Sequence, residues 1–135
     1  MSLNKIILIS LLLSPIGIMS QTYNDSLYFC RDYIHEEIGN TDIFGLTDTS
    51  TDVTIMVKLS KPIGIASVRT VLYKLENDGS YKQVYDTDWD VQPDWDYIFF
   101  SYIPVKEAGY YKASLTTDAY KEIVSGFMEV IRVNN

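Results

Sequence analysis

Apolar and polar side chains alternate with a period of two residues along most of this chain, and this alternation limits the fold more than any other feature. In the clearest segment, apolar side chains stand at Val53, Ile55 and Val57, each separated by one residue. Successive side chains of a strand point to opposite faces, so this pattern predicts a strand with one buried face. The same reasoning predicts six strands, at residues 53–59, 68–75, 81–86, 97–105, 110–117 and 126–133.

Shorter segments upstream allow more than one interpretation. Residues 27–30 are a further strand candidate. Residues 32–38 fit a short helix between an Asp cap and a Gly stop, and they fit another extended segment equally well. Residues 40–52 are rich in Thr, Asp and Ser, so they predict a loop with a short edge strand near residues 43–46.

Turn chemistry and strand spacing together predict the fold class. The Asn-Asp-Gly-Ser segment at residues 77–80 is typical of a tight turn with positive φ angles, so the strands on either side of it form a hairpin. Six or seven short strands at regular spacing, with few helical signals, indicate an all-β fold. We expect an antiparallel β-sandwich of about seven strands, with a small barrel as the alternative.

The first twenty residues have the order of a secretory signal peptide. Residues 1–5 carry a positive charge, residues 6–13 are apolar and favour a helix, and a break at Pro15 is followed by the small residue Ser20. A membrane anchor is the competing interpretation. A spanning helix needs about 20 apolar residues, and this apolar run is shorter and contains proline, so we expect a cleavable signal helix that is cut after Ser20.

Cleavage at that point divides the chain into a signal peptide at residues 1–20 and one domain at residues 21–135. The product is expected to be secreted or periplasmic and to have no membrane span. The whole chain carries a net charge of −7, and removal of Lys5 with the signal peptide leaves the product at −8. This charge repels nucleic acids and anionic membrane surfaces, so neither is an expected partner. Cys30 is the only cysteine, which excludes an internal disulfide, and we expect its thiol to be buried.

A short motif precedes the predicted strand at residues 110–117. Glu107, Gly109 and Tyr111 are spaced two residues apart, and they resemble the tyrosine corner of immunoglobulin-type domains. The resemblance implies that the Tyr111 hydroxyl hydrogen-bonds to the backbone upstream. In antibody-type domains a cysteine follows two residues later. That position is Ala113 here, so the inter-sheet disulfide of those domains is absent.

The wider run of residues 51–133 is similar to small secreted bacterial immunoglobulin-like domains of unknown function. Three features carry this resemblance: the Pro-Asp-Trp turn at residues 93–95, the corner motif, and Gly126, which opens the last predicted strand. The resemblance covers most of residues 21–135. It implies an immunoglobulin-like β-sandwich and export from the cell, and it implies no activity.

Five aspartates within residues 86–96 form the sharpest candidate for a ligand site. Calcium needs several oxygen ligands around one point, and Asp86, Asp88 and Asp90 alternate like the opening of a calcium-binding loop. An EF-hand is excluded, because valine and tyrosine replace its glycine and its final glutamate. A calcium site of another kind is one hypothesis, and no other cofactor is expected. The favoured interpretation is a solvated loop whose charges discourage strand pairing.

Two tryptophans, Trp89 and Trp95, alternate with these aspartates. An exposed indole ring can stack on a sugar while carboxylates accept hydrogen bonds from its hydroxyls. Trp89 and Trp95, together with Asp86, Asp88 and Asp90, are therefore a hypothetical carbohydrate site. Tryptophan also fills sandwich cores. The strand after Trp95 is apolar on both faces, which predicts a central, covered strand and favours a core position for Trp95, whereas Trp89 falls in the predicted loop.

Recognisable catalytic motifs are missing from the sequence, including phosphate-binding loops, zinc-protease motifs and nucleophile elbows. His35 is the only histidine, and nothing in the sequence fixes its geometry relative to Cys30. We therefore expect an exported, non-enzymatic binding or structural module. Its partner would be a protein or a glycan at the cell envelope, contacted through loops 40–52 and 86–96. A carbohydrate-binding module that uses the tryptophans and aspartates, with or without calcium, is the alternative.

Overall fold

The computed structural model describes residues 24–134, which contain nine strands and no helix. The predicted signal peptide, residues 1–20, lies outside the described residues. Within the described part, no helix has the length and apolarity that a membrane crossing requires. The strands are β1 (Ser26–Tyr33), β2 (Glu37–Asn40), β3 (Ile43–Leu46), β4 (Thr51–Lys58), β5 (Ser67–Leu75), β6 (Tyr81–Asp90), β7 (Tyr97–Val105), β8 (Gly109–Thr116) and β9 (Glu122–Arg132).

The strands form two sheets that pack face to face. The four-stranded sheet has the order β2-β1-β4-β7, and the five-stranded sheet has the order β3-β9-β8-β5-β6. Alternate side chains of each sheet meet in one core, where Phe29, Ile55 and Phe100 from the first sheet pack with Leu72 and Leu115 from the second. The all-β sandwich predicted from the period of two residues is confirmed.

Two details of the strand arrangement differ from the prediction. Nine strands are present among residues 24–134 in place of about seven, because the segments before β4 form three strands, of which β2 and β3 have only four residues each. The sheets are also not wholly antiparallel, since β3 pairs in parallel with β9. Side-chain alternation identifies a strand but carries no information on its direction relative to its neighbours, so the parallel pair could not be predicted.

The segment at residues 32–38 is extended, and the helical interpretation of it is wrong. Strand β1 continues to Tyr33, the chain reverses, and β2 returns antiparallel with Tyr33 opposite Glu37. At the tip, His35 has a φ angle of 66°, and the Ile34 N–H donates to the Glu36 carbonyl at 3.0 Å. The positive φ angle at His35 ends any helical path through this segment.

The β1–β2 hairpin curls over the outer face of the four-stranded sheet. β2 and β7 lie at opposite edges of that sheet, yet the Tyr33 ring of the hairpin stacks on Phe99 of β7 with ring centroids 4.1 Å apart. Beneath this cover lie three side chains that point away from the main core: Cys30, Thr54 and Met56, each no more than 1% exposed. The expected burial of Cys30 is confirmed, and the hairpin is the reason for it.

Gly126 lies within β9 and does not open it, because the strand begins at Glu122. A Cβ atom at Gly126 would meet the backbone carbonyl O of Leu27 at 2.3 Å. Leu27 belongs to β1 of the opposite sheet, so the two backbones nearly touch here. Glycine is required at this point because no side chain fits between the sheets.

The corner motif joins β7 to β8. The buried Tyr111 hydroxyl donates a hydrogen bond to the Glu107 carbonyl O at 2.6 Å, which is the bond that a tyrosine corner makes. Burial raises the pKa of the Tyr111 hydroxyl. Gly109 has a φ angle of 152°, and Ala113 is fully buried where antibody-type domains have cysteine. Hydrophobic packing takes the place of the disulfide at this position.

Candidate functional site

An open groove of about 290 Å³ lies where the edges of the two sheets come together, between the end of β6 and the start of β7. We call it the edge groove. Its position follows from the topology, because β6 and β7 are the terminal strands of their sheets. The residues that line it are Trp89, Asp90, Val91, Trp95, Tyr97, Ile98, Phe99 and Phe100.

Trp89 forms the inner wall of the edge groove. It lies in β6 and not in a loop, and its ring packs against Phe100 with centroids 5.2 Å apart. Its indole Nε1–H donates to the hydroxyl Oγ1 of buried Thr70 at 2.8 Å. Trp89 is therefore held by packing and by a hydrogen bond, which makes it a structural part of the groove.

Three aromatic side chains form the exposed rim. Trp95 is 43% exposed, Tyr97 39% and Phe99 44%. Backbone bonds fix Trp95, whose N–H donates to the Gln92 carbonyl at 3.0 Å and whose carbonyl accepts from Ile63 at 2.8 Å. The predicted core position of Trp95 is wrong, and so is the central position of the strand that follows it. β7 is an edge strand, and these three side chains remain partly exposed although the Tyr33 ring of the hairpin packs on Phe99.

The rim is acidic. Asp90 lines the groove, and Asp94 and Asp96 flank Trp95 in the sequence; all three are exposed. Among residues 24–134, the ion pairs involve other carboxylates, and none of these three has a cationic partner. The lining of the groove therefore includes one carboxylate, Asp90, that has no ion-pair partner among the described residues, while the Lys58 ammonium approaches the rim at Tyr97.

Asp86 and Asp88 lie away from the edge groove, on the outer face of the five-stranded sheet. The Arg69 guanidinium Nη1 lies 3.0 Å from Asp86 and 2.7 Å from Asp88. The Tyr120 hydroxyl donates to the other oxygen of Asp86 at 2.6 Å. A calcium ion here would compete with a bound guanidinium. The described residues contain no group of three or more side chains placed to hold a metal ion.

A second polar cluster, which we call the hairpin clamp, was not predicted from the sequence. The Glu37 carboxylate of β2 accepts hydrogen bonds from the hydroxyls of Tyr28 and, at 2.5 Å, Tyr97. The Lys58 ammonium lies 5.7 Å from the Tyr28 ring centroid and 5.6 Å from that of Tyr97. Only the curling of the hairpin brings Glu37 to Tyr97, and side-chain periodicity carries no signal for that contact.

The hairpin clamp changes the acidity of its members. Desolvation raises the pKa of Glu37, but the hydrogen bonds from Tyr28, Tyr97 and Asn40 outweigh it, so the pKa lies below the usual 4.5. The hydrogen bond to Glu37, followed by desolvation, raises the pKa of Tyr97 to about 12. Desolvation and the same carboxylate raise the pKa of Tyr28. The clamp is therefore complete when Glu37 is charged and both tyrosines are neutral.

This arrangement predicts two limits of pH stability. The pKa of Glu37 is lowered in the fold, so its contribution is present above pH 4.5 and is lost as the pH falls through the folded pKa. The pKa of Tyr97 is raised in the fold, so its contribution is present below pH 10 and is lost as the pH rises towards 12. Urea unfolding from acid to alkaline pH, with ultraviolet titration of tyrosine, measures both limits.

In the Glu37→Gln variant we expect lower stability near neutral pH, a weaker acid dependence and tyrosine titration closer to pH 10. Glu36→Gln is the matched control, because Glu36 is an exposed neighbour in the same hairpin. Equal pH profiles for the two variants would contradict the role of the clamp.

His35 and Cys30 do not form a catalytic pair. His35 lies at the exposed tip of the hairpin, whereas Cys30 is buried beneath it and its Sγ–H points to the Asp32 carbonyl at 3.2 Å. Neither side chain lines the edge groove. The edge groove instead brings exposed aromatic rings next to the Asp90 carboxylate.

Comparison with known proteins identifies no family. No family model matches the chain, and no curated protein matches it. Among solved structures, the CARDB domain of the PF1109 protein from Pyrococcus furiosus, in complex with di-metal ions, is similar at 14% sequence identity and a TM-score of 0.41. The match covers 81% of this chain and 94% of that domain. At this level of similarity, no property of that domain transfers to this chain.

Proposed function

We propose that this protein is an exported, non-enzymatic immunoglobulin-like module that binds a protein partner at the cell envelope, and that the edge groove is its binding site. The observation that carries the proposal is the exposed aromatic rim of Trp95, Tyr97 and Phe99 beside a preformed groove. Exposed aromatic side chains around a small pocket are the residues that contribute most to binding energy in protein interfaces.

The proposed site includes three of the five residues of the ligand site that the sequence predicts. Trp89, Asp90 and Trp95 all line the edge groove, and Tyr97 and Phe99 join them. Trp89 supplies the wall, and Trp95 supplies the exposed contact. Because backbone hydrogen bonds fix the main chain at Trp95, a partner would bind it with little loss of backbone conformational entropy.

The proposal is tested by photo-cross-linking in the cell that makes the protein. A photoreactive phenylalanine analogue replaces Trp95 in one variant and Phe127 in the other. Phe127 is a matched control, since it is 61% exposed on β9, in the other sheet. We expect a discrete cross-linked protein from position 95 and none from position 127. Equal labelling at both positions, or none at position 95, would overturn the proposal.

A carbohydrate is the second candidate ligand, and one observation favours it. An exposed indole, Trp95, and an unpaired carboxylate, Asp90, line the same groove, so a sugar ring could stack on one and hydrogen-bond to the other. Binding on a glycan array that is lost in Trp95→Ala and kept in Phe127→Ala would replace the protein partner with a glycan. Absence of such binding would remove this candidate.

A further inference from the structure

The first half of β7 is an open sheet edge. β7 ends the four-stranded sheet, and among the described strands it pairs with β4 alone. An edge strand presents N–H and carbonyl groups that have no partner, and these groups can pair with another extended chain. From Tyr97 to Phe100 the pairing with β4 is regular, from Lys58 opposite Tyr97 to Ile55 opposite Phe100. This edge is therefore flat as well as open.

The other edges of the sandwich are protected, and so is the second half of β7. There the register shifts opposite Val53–Ile55, Tyr102 has a φ angle of 60°, and Pro104 lacks an N–H donor. β2 and β3 are edge strands of only four residues each, and β6 carries aspartates. Short strands, bulges, proline and charge are the devices that prevent edge pairing, and residues 97–100 have none of them.

The charge around this edge identifies the kind of chain that it accepts. Asp90 lines the groove beside this edge, and Asp94 and Asp96 flank Trp95 in the sequence; none of the three forms an ion pair among the described residues. Lys58 lies opposite Tyr97 on β4, but the whole chain carries a net charge of −7. A second copy of the protein would bring like charges to the same place, which disfavours self-pairing. A segment that carries lysine or arginine beside apolar residues complements both the carboxylates and the aromatic rim.

We infer that the partner binds by adding an extended strand to β7 at Tyr97–Phe100, and that this strand alternates apolar and basic side chains. The inference rests on the proposed function, and it names the chemistry of the partner at that same groove. Backbone hydrogen bonds to the open edge fix which residues of the added strand lie opposite Tyr97–Phe100. The aromatic rim takes alternate apolar side chains, and Asp90, Asp94 and Asp96 attract the basic ones.

The test uses the purified protein and three short blocked peptides as probes. The first alternates lysine and valine, the second alternates glutamate and valine, and the third is the first with backbone N-methyl groups along one edge. We expect the first peptide to bind at least about tenfold more tightly than the other two. Its affinity should fall as salt rises from about 0.1 M to about 1 M. Those amides of residues 97–100 that point away from β4 should become protected from hydrogen exchange.

Variants locate the effect. Asp94→Asn with Asp96→Asn, on either side of Trp95, should weaken the lysine peptide about tenfold without affecting the fold. Asp48→Asn, at an exposed aspartate between β3 and β4, should leave its affinity unchanged. Equal binding of the methylated peptide, or a preference for the glutamate peptide, would overturn strand addition. If the protein dimerises and the dimer protects the amides of residues 97–100 from hydrogen exchange, the inferred partner would be wrong and a second copy of the chain would take its place.

The two proposals fail in different ways. A cross-link at position 95 to a protein that leaves the amides of residues 97–100 unprotected would keep the binding function and overturn strand addition. The lysine peptide could instead protect those amides while no cross-linked protein is found in the cell. That result would support strand addition to β7 and overturn the proposed protein partner.

Discussion

Replacing Gly126 with alanine should destabilise the protein by about 3 kcal/mol, at the upper end of the cost of overpacking. The new Cβ would lie 2.3 Å from the Leu27 carbonyl O, and that atom belongs to the backbone of β1. Leu27 is also paired with Val57 of β4, so β1 cannot retreat without disturbing the four-stranded sheet. Urea unfolding followed by circular dichroism measures the loss.

Gly45→Ala is the matched control for this prediction. Gly45 also lies in a strand and has an ordinary φ angle, and an added Cβ would meet only the Val133 Cγ2 methyl, at 3.0 Å. The Val133 side chain can move to make room for the new methyl group, whereas a backbone carbonyl cannot. The Gly45→Ala change should therefore lower the free energy of unfolding by less than about 1 kcal/mol. Equal losses in the two variants would show that the close approach of the sheets at Gly126 is not what requires glycine.

The two tryptophans should respond to substitution in opposite ways. Trp89→Ala removes a ring that packs on Phe100 and leaves the buried Thr70 hydroxyl without its donor, so we expect a loss of about 3 kcal/mol in unfolding free energy. Trp95→Ala removes an exposed ring while the backbone bonds of Trp95 remain, so its stability should change by less than about 0.5 kcal/mol.

Tryptophan fluorescence checks the same assignment without unfolding the protein. In Trp95→Ala the remaining emission comes from Trp89, which should be blue-shifted and shielded from acrylamide. In a Trp89→Phe variant, which keeps a ring in the wall, the remaining emission comes from Trp95 and should be readily quenched. Equal quenching of the two variants would contradict the placement of Trp89 in the wall and Trp95 on the rim.

The alternation of apolar and polar side chains predicted the class of the fold, because it shows which residues lie on the same face of a strand. Val53, Ile55 and Val57 do face the core, and Tyr97 and Phe99 do share the opposite face from Ile98 and Phe100. The period does not report whether a second layer covers a face. For this reason the apolar outer face of β7 predicts a central strand, whereas β7 lies at the edge of its sheet.

The candidate site was predicted in part for a similar reason. Asp86, Asp88 and Asp90 alternate with inward-facing side chains, as a strand requires, but the sequence does not reveal that Arg69 of neighbouring β5 binds the first two. Trp89, Asp90 and Trp95 line one groove because they are close in sequence and the chain turns between them. Their neighbour Phe100 joins them only through packing between the two sheets.

The place of β9 in the fold has a consequence for the biosynthesis of the protein. β9 is the last of the described strands, yet it lies inside the five-stranded sheet, between β3 and β8. It pairs with residues 43–46 across a long stretch of sequence, so its contacts are non-local and slow to form. The five-stranded sheet is complete only after residue 132 has left the ribosome. Until then β3 and β8 lack the strand that joins them, so the nascent domain cannot complete its core.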